Sequence, residues 1–301
     1  MARTRMLVLL YGCLLAERGY AAPAAPRDAR LTEAIPGIES LIQRSGADVA
    51  VAFRTLGGKM QWLFHADQSF HAASTMKVAL LIELYRQVRE GRVKLTDTLK
   101  VKNEFHSLVD GSPYALDPAD DSETDLYKAV GDTRTLEQLS ELMIAVSSNL
   151  ATNLLMEKLG VDHIRAGVHT LGADGMVILR GLEDAKAFAQ GRNNTTTAQA
   201  LLQLMEAIGS GQAVDKDSSE RMLAVLERQT FNEDIPAGLP PGTRVAHKTG
   251  EITAIEHDAA IVFAPRPFVL IILTRGFSKP ADAAVLMAEV TRRLYAASQL
   301  P

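Results

Sequence analysis

The stretch Phe70-His71-Ala72-Ala73-Ser74-Thr75-Met76-Lys77, with the apolar run Val78 to Leu84 behind it, constrains this chain more than any other part. Ser74 closes a strand-and-turn region and opens a helix in which Met76, Ala79, Leu80, Ile82 and Leu84 leave almost no polar face before Arg86. A helix that is apolar all round is buried, so the rest of the chain must wrap a core about it. Positions three apart share a helix face, which brings the Lys77 amine within reach of the Ser74 hydroxyl. A neighbouring base that removes the hydroxyl proton makes serine a usable nucleophile for acyl transfer. Free N–H groups at a helix start suit a developing oxyanion. The same residues also fit an ordinary serine cap followed by a lysine in the first turn.

With 301 residues, 47% hydrophobic and 23% charged, the chain can bury a core of the size such a helix demands. Its start reads as a leader, residues 1–21: Met1-Ala2-Arg3-Thr4-Arg5 is basic, Met6 to Ala16 is apolar, and Gly19-Tyr20-Ala21 offers a small-x-small cleavage site. Export to the periplasm or medium is expected, with the mature chain beginning near Ala22. The apolar run is far shorter than the ~20 residues of a spanning helix, so no stable membrane span is expected. Leu10-Tyr11-Gly12-Cys13 resembles a bacterial lipoprotein box, a lesser alternative. Cys13 is the only cysteine, so a chain cleaved after Ala21 has neither thiol nor disulfide. Losing Arg3, Arg5, Arg18 and Glu17 with the leader takes the formal net charge from −4 to −6. A mildly acidic chain has no electrostatic footprint for nucleic acid. The seven histidines show no H-E-x-x-H or paired spacing, so neither metal nor cofactor is expected.

Beyond the leader, Thr32 to Arg44 carries Ile35, Ile38, Leu41 and Ile42 at helical spacing, interrupted at Pro36-Gly37. Asp48 to Leu56 and Lys59 to Asp67 then form a hairpin about Gly57-Gly58. From Tyr85 to about Arg228 the pattern is mostly helical, while Val245 to Thr249, Asp258 to Phe263 and Phe268 to Thr274 return to strands before a last helix, Pro280 to Ala297. Strands at both ends imply one sheet assembled from the two termini. The expected division is an α/β part, residues 27–73 and 229–301, with a helical part, 74–228, inserted.

Three short motifs fall in order: Ser74-Thr75-Met76-Lys77, Ser147-Ser148-Asn149 and Lys248-Thr249-Gly250. With Val109 to Pro113, Asn149 to Leu155, the triplet Thr195-Thr196-Thr197 and Pro236 to Pro240, this set resembles the penicillin-recognising serine hydrolases, and within them the class A β-lactamases. The resemblance runs from about Leu31 to the C-terminus. It implies an α/β fold with a five-stranded antiparallel sheet flanked by helices plus an all-helical domain, with the site at their junction. It also implies a monomer whose partner is a small β-lactam, acylated onto Ser74 with Lys77, or Glu183 as the alternative, as the base that takes the serine proton. By the same resemblance Ser147 passes a proton to the leaving nitrogen, and Asn149 bonds Lys77 and the substrate amide. Lys248 and Thr249 bind the substrate carboxylate, Gly250 leaves room for the acyl group, and the main-chain N–H groups of Ser74 and Glu251 form the oxyanion hole. The alternatives are a D-alanyl-D-alanine peptidase or esterase of the same superfamily, or a penicillin-binding homologue that does not turn over.

Departures from the family pattern carry their own expectations. Ser148 stands where the family usually has a supporting aspartate. Glu183, in Arg180-Gly181-Leu182-Glu183-Asp184, is the candidate for the carboxylate that activates the deacylating water, although its spacing from Arg180 is one residue longer than usual. Asn194 replaces the usual aspartate before the Thr triplet, so Arg180 is expected to pair with Asp184. No arginine accompanies Lys248; His257 takes its place as the expected second anchor for a carboxylate. Phe105 is either an aromatic wall or local packing.

Overall fold

In the computed structural model, residues 29–299 are described; the leader, its cleavage site and Cys13 lie outside them. Helix α1, Ala29–Ser45, runs without a break through Pro36. The expected interruption fails because Leu31, Ile35, Ile38 and Ile42 line one buried stripe, and that burial outweighs the single backbone bond proline removes. Strands β1, Asp48–Thr55, and β2, Gln61–Phe64, form the hairpin. Strands β3, Arg244–Ile252, β4, Ile255–Phe263, and β5, Phe268–Arg275, complete one antiparallel sheet in the order β2-β1-β5-β4-β3.

Both faces of this sheet are covered, which explains why its strands read as continuous apolar runs. Val51 and Phe53 of β1 and Leu270 and Ile272 of β5 face α1 and the last helix, α8, Pro280–Gln299. Their neighbours Ala50, Ala52, Val269 and Ile271 face the opposite core, because side chains alternate along a strand. That second core belongs to helices α2, Lys77–Arg89; α3, Leu136–Ala145; α4, Asn149–Leu159; α5, Val161–Thr170; α6, Ala198–Gly209; and α7, Lys216–Leu226. A reciprocal Thr135 and Gln138 capping box starts α3, and Thr197 caps α6. Every residue from Lys77 to Tyr85 is buried, so α2 is the central helix that its sequence demands.

Candidate active site

Ser74 does not cap α2. It lies in a 3-10 turn, Ala73–Met76, that leads into Lys77, and no side-chain bond caps either element. In a 3-10 turn positions i and i+3 eclipse, so Ser74 and Lys77 still share a side. The turn is held from three directions. The Ala72 N–H donates to the Asn194 carbonyl at 2.9 Å, and His257 Nε2 lies 3.0 Å from the His71 carbonyl. Gly250 of β3 presses on it from the third: a Cβ there would come within 3.0 to 3.1 Å of the Thr75 and Ser74 nitrogens. Gly250 thus lets the edge strand approach the Ser74 amide. Four of the five described non-glycine residues with positive φ line the cleft at this site: Ala73, Ser147, Glu183 and Ala254. Such backbone strain persists only where surrounding contacts over-determine it.

Two lysines converge on one hydroxyl. Lys77 Nζ lies 3.1 Å from Ser147 Oγ, 2.7 Å from the Ser147 carbonyl and 3.1 Å from Asn149 Oδ1. Lys248 Nζ lies 3.1 Å from the same Ser147 Oγ and 2.9 Å from the Thr249 carbonyl. Both side chains are fully buried. Burial, followed by repulsion from Lys248, pushes the Lys77 pKa well below the ordinary lysine value. Burial likewise brings Lys248 down to about 7. A neutral Lys77 amine carries the lone pair a base requires.

Glu183 faces these groups across a cleft of about 1200 Å³ that Ser74, Ser147, Asn149 and Thr249 also line. Its Oε1 accepts from Asn149 Nδ2 at 2.9 Å and its Oε2 from the Asp117 N–H at 3.0 Å. Burial raises its pKa, against the lowering effect of those two hydrogen bonds. The irregular loop is positioned by Asn153, one helical turn after Asn149 on the same face of α4. Asn153 Oδ1 accepts from the Leu182 N–H at 2.7 Å, and its Nδ2 donates to the Leu182 carbonyl at 3.1 Å. Those two bonds hold Leu182, the residue before Glu183, to α4.

The expected Arg180–Asp184 pair does not form. Arg180 donates to Asn193 Oδ1 and to the carbonyls of Arg192 and Gly181. Asp184 accepts instead from Ser107 Oγ, the Leu108 N–H and the Ala187 N–H, which ties the loop to the Phe105 segment. Asn194 replaces an ion pair with backbone bonds, accepting from the N–H groups of Leu179 and Arg180. Ser148 caps α4 through the Ala151 N–H, and the carboxylate missing from its position comes from Asp121, which lies in a turn-rich segment. The lone signal for it was an acidic pair, Asp120-Asp121, in a segment without periodicity.

His257 is a correction. Its ring is fully buried, stacks edge-on against Phe70 and does not line the cleft. Burial lowers its pKa to about 4, so at neutral pH it carries no charge for a carboxylate. Pairing with Gly250 puts its ring on the face toward the serine turn, where the Nε2–H holds His71. Phe105 is local packing, buried against Tyr114 at 6.0 Å. The aromatic side chains lining the cleft are Phe188 and Phe231. Glu251, exposed on the edge strand, joins Glu233, Asp234 and Glu256 in making one end of the cleft acidic. Among the described residues no group of three or more potential ligands could hold a metal ion, and no helix is long and apolar enough to cross a membrane.

Comparison with known proteins follows the same outline. Over 251 residues the chain is 26% identical to β-lactamase CTX-M-97 of Escherichia coli, covering 82% of this chain and 81% of that one. An ancestral class A β-lactamase superposes with a TM-score of 0.76 at 25% identity, covering 88% of this chain and 99% of its own. A leucine-to-glutamate variant of PBP-A, an acyl-enzyme complex with penicillin G, superposes with a TM-score of 0.76 at 29% identity, covering 90% and 98%. A sequence model described as the β-lactamase enzyme family matches residues 32–298. A match that spans nearly every described residue, motifs and sheet alike, leaves one placement: the chain belongs to the β-lactamase enzyme family.

Proposed function

We infer that the protein is a serine β-lactamase that opens the lactam amide through an acyl-enzyme on Ser74. Ser74 Oγ attacks the lactam carbonyl, and the N–H groups of Ser74 and Glu251 receive the oxyanion. The serine proton passes to Lys77 and, through Ser147, to the nitrogen released as the C–N bond breaks. Glu183 then takes a proton from a water that attacks the ester and passes it to Ser74 Oγ as the C–O bond breaks, which restores both the serine and the carboxylate. Lys248 and Thr249 hold the substrate carboxylate. The observation that carries this reading is the convergence of two buried lysine amines on Ser147 Oγ, opposite a carboxylate held by Asn149. The relatives named β-lactamases support the same activity. Action outside the cytoplasm accords with the leader-like start of the sequence.

One observation favours a second reading, a penicillin-binding homologue with slow turnover. Both Glu183 oxygens are engaged by Asn149 and Asp117, with no hydrogen bond to Ser74 or Lys77. Intact mass after mixing with penicillin G separates the two. A transient Ser74 adduct with accumulating penicilloate is expected. A lasting stoichiometric adduct without product establishes the second reading, and no adduct overturns both.

A further inference from the structure

Asp121 gathers more hydrogen bonds than a loop carboxylate needs. Its Oδ2 accepts from the N–H groups of Asn149 at 2.8 Å and Leu150 at 2.9 Å and from the Tyr127 hydroxyl at 2.9 Å; Ser148 Oγ lies 3.4 Å away. Oδ1 accepts from the Glu123 N–H at 3.1 Å, and the residue is 8% exposed. Ser148 Oγ caps only the Ala151 N–H of helix α4, and Asp121 takes the N–H groups of Asn149 and Leu150 that this cap leaves open. The extra carboxylate falls on the amides at and just after Asn149. Asn149 is the fork of the site: Oδ1 accepts from Lys77 and Nδ2 donates to Glu183. A buried anion therefore sits one residue behind both proton-transfer groups and touches neither side chain.

We propose that Asp121 is a positioning residue for the reaction at Ser74: it fixes the Asn149 fork that holds Lys77 and Glu183 in place, and its charge moves the acid limit of serine activation upward. This rests on the proton-transfer roles given above to Lys77 and Glu183. Lys77 is faced by Lys248 from β3, which lowers its pKa, and by Asp121 and Glu183, which raise it. Glu183 is faced by Asp121 and Asp120, which raise its pKa, and by its hydrogen bonds from Asn149 and the Asp117 N–H, which lower it. Removing the Asp121 charge lowers the pKa of both candidate bases. The acid limb of activity moves to lower pH whichever of them takes the serine proton.

The test measures the rate of Ser74 modification across acid and neutral pH with two reagents, penicillin G and a fluorophosphonate. The fluorophosphonate reports on the nucleophile whether or not penicillin is a substrate. Asp121→Asn is expected to slow modification at neutral pH by on the order of 10²-fold, the scale of a small misplacement of reacting groups, and to move the acid limb downward. Asp121→Glu keeps the charge and shifts it by one methylene, so the rate falls while the limb stays. Tyr127→Phe removes one donor, leaves the carboxylate, and keeps the limb in place. A limb that moves in neither carboxylate variant, or equally in both, overturns the proposal. A parental enzyme that reacts with the fluorophosphonate but not with penicillin sinks the β-lactamase reading alone, because the shift on Asp121→Asn is still read with the fluorophosphonate.

Discussion

The two sides of the cleft are built differently. On the serine side, the 3-10 turn, the bend between α3 and α4, and strand β3 interlock through fully buried lysines, a glycine against backbone and a shared hydroxyl. On the Glu183 side, an irregular loop hangs from hydrogen bonds made by Asn153, Asn194 and the Asp117 amide. Secondary structure and core packing fix the first side. The second depends on a few bonds, each worth about 1 kcal/mol net, between residues far apart in sequence. On the proposed mechanism, acylation is then the robust half of this site and deacylation the half most easily lost.

The largest expected effect tests the serine side itself. Ser74→Ala removes the nucleophile, so covalent labelling by penicillin and all turnover should vanish; mass spectrometry that finds an adduct on another serine breaks the assignment. Next, Glu183→Gln keeps the shape of the loop side and removes its base. Steady-state hydrolysis should fall by about 10²- to 10⁴-fold while acylation stays within a few-fold, giving a stoichiometric burst and a long-lived adduct. Equal loss in both steps would mean that the two sides are not separable.

A smaller effect is expected from Asn153→Ala, which leaves the Leu182 backbone groups without their partners. Leu182 is half-buried, so the loss is about 1 kcal/mol per bond, and deacylation should slow more than acylation in rapid-quench measurements, without abolishing either. A mutant that slows acylation first would reverse the comparison.

The smallest effect falls outside catalysis. His257 has a folded pKa of about 4 against 6.5 for the free side chain. The unfolded chain therefore binds more protons than the folded one between those values, and stability contributed by the neutral ring is lost as pH falls from 6.5 through 4. His257→Gln keeps an N–H donor near His71 and cannot titrate. Its denaturation free energy should depend less on pH across that window, by on the order of 3 kcal/mol at the acid end. Any rise of the penicillin KM near neutral pH should follow Lys248, whose pKa is about 7, and persist in His257→Gln, since the His257 ring is neutral and away from the cleft. A KM that rises through that pH and flattens in the variant would restore His257 as a carboxylate anchor.

Much of this was present in the amino-acid order. The all-round apolar α2 required burial, the alternating and continuous apolar strands at both ends required a covered sheet, and three short motifs at the ends of regular elements named the residues that converge on Ser147. These are local patterns: periodicity and cap chemistry act over a few residues, so the chain carries them openly. The tertiary structure alone decided which side chains fill the gaps in the pattern. It placed the Asp121 carboxylate where Ser148 lacks one, gave Arg180 to Asn193 and two carbonyls in preference to Asp184, held Glu183 from Asn149 and Asp117, and sealed His257 beneath the serine turn. Each is a hydrogen bond between segments distant in sequence, often to a backbone group that every residue possesses. Such a bond leaves no period or spacing in the chain, and only the folded geometry selects it.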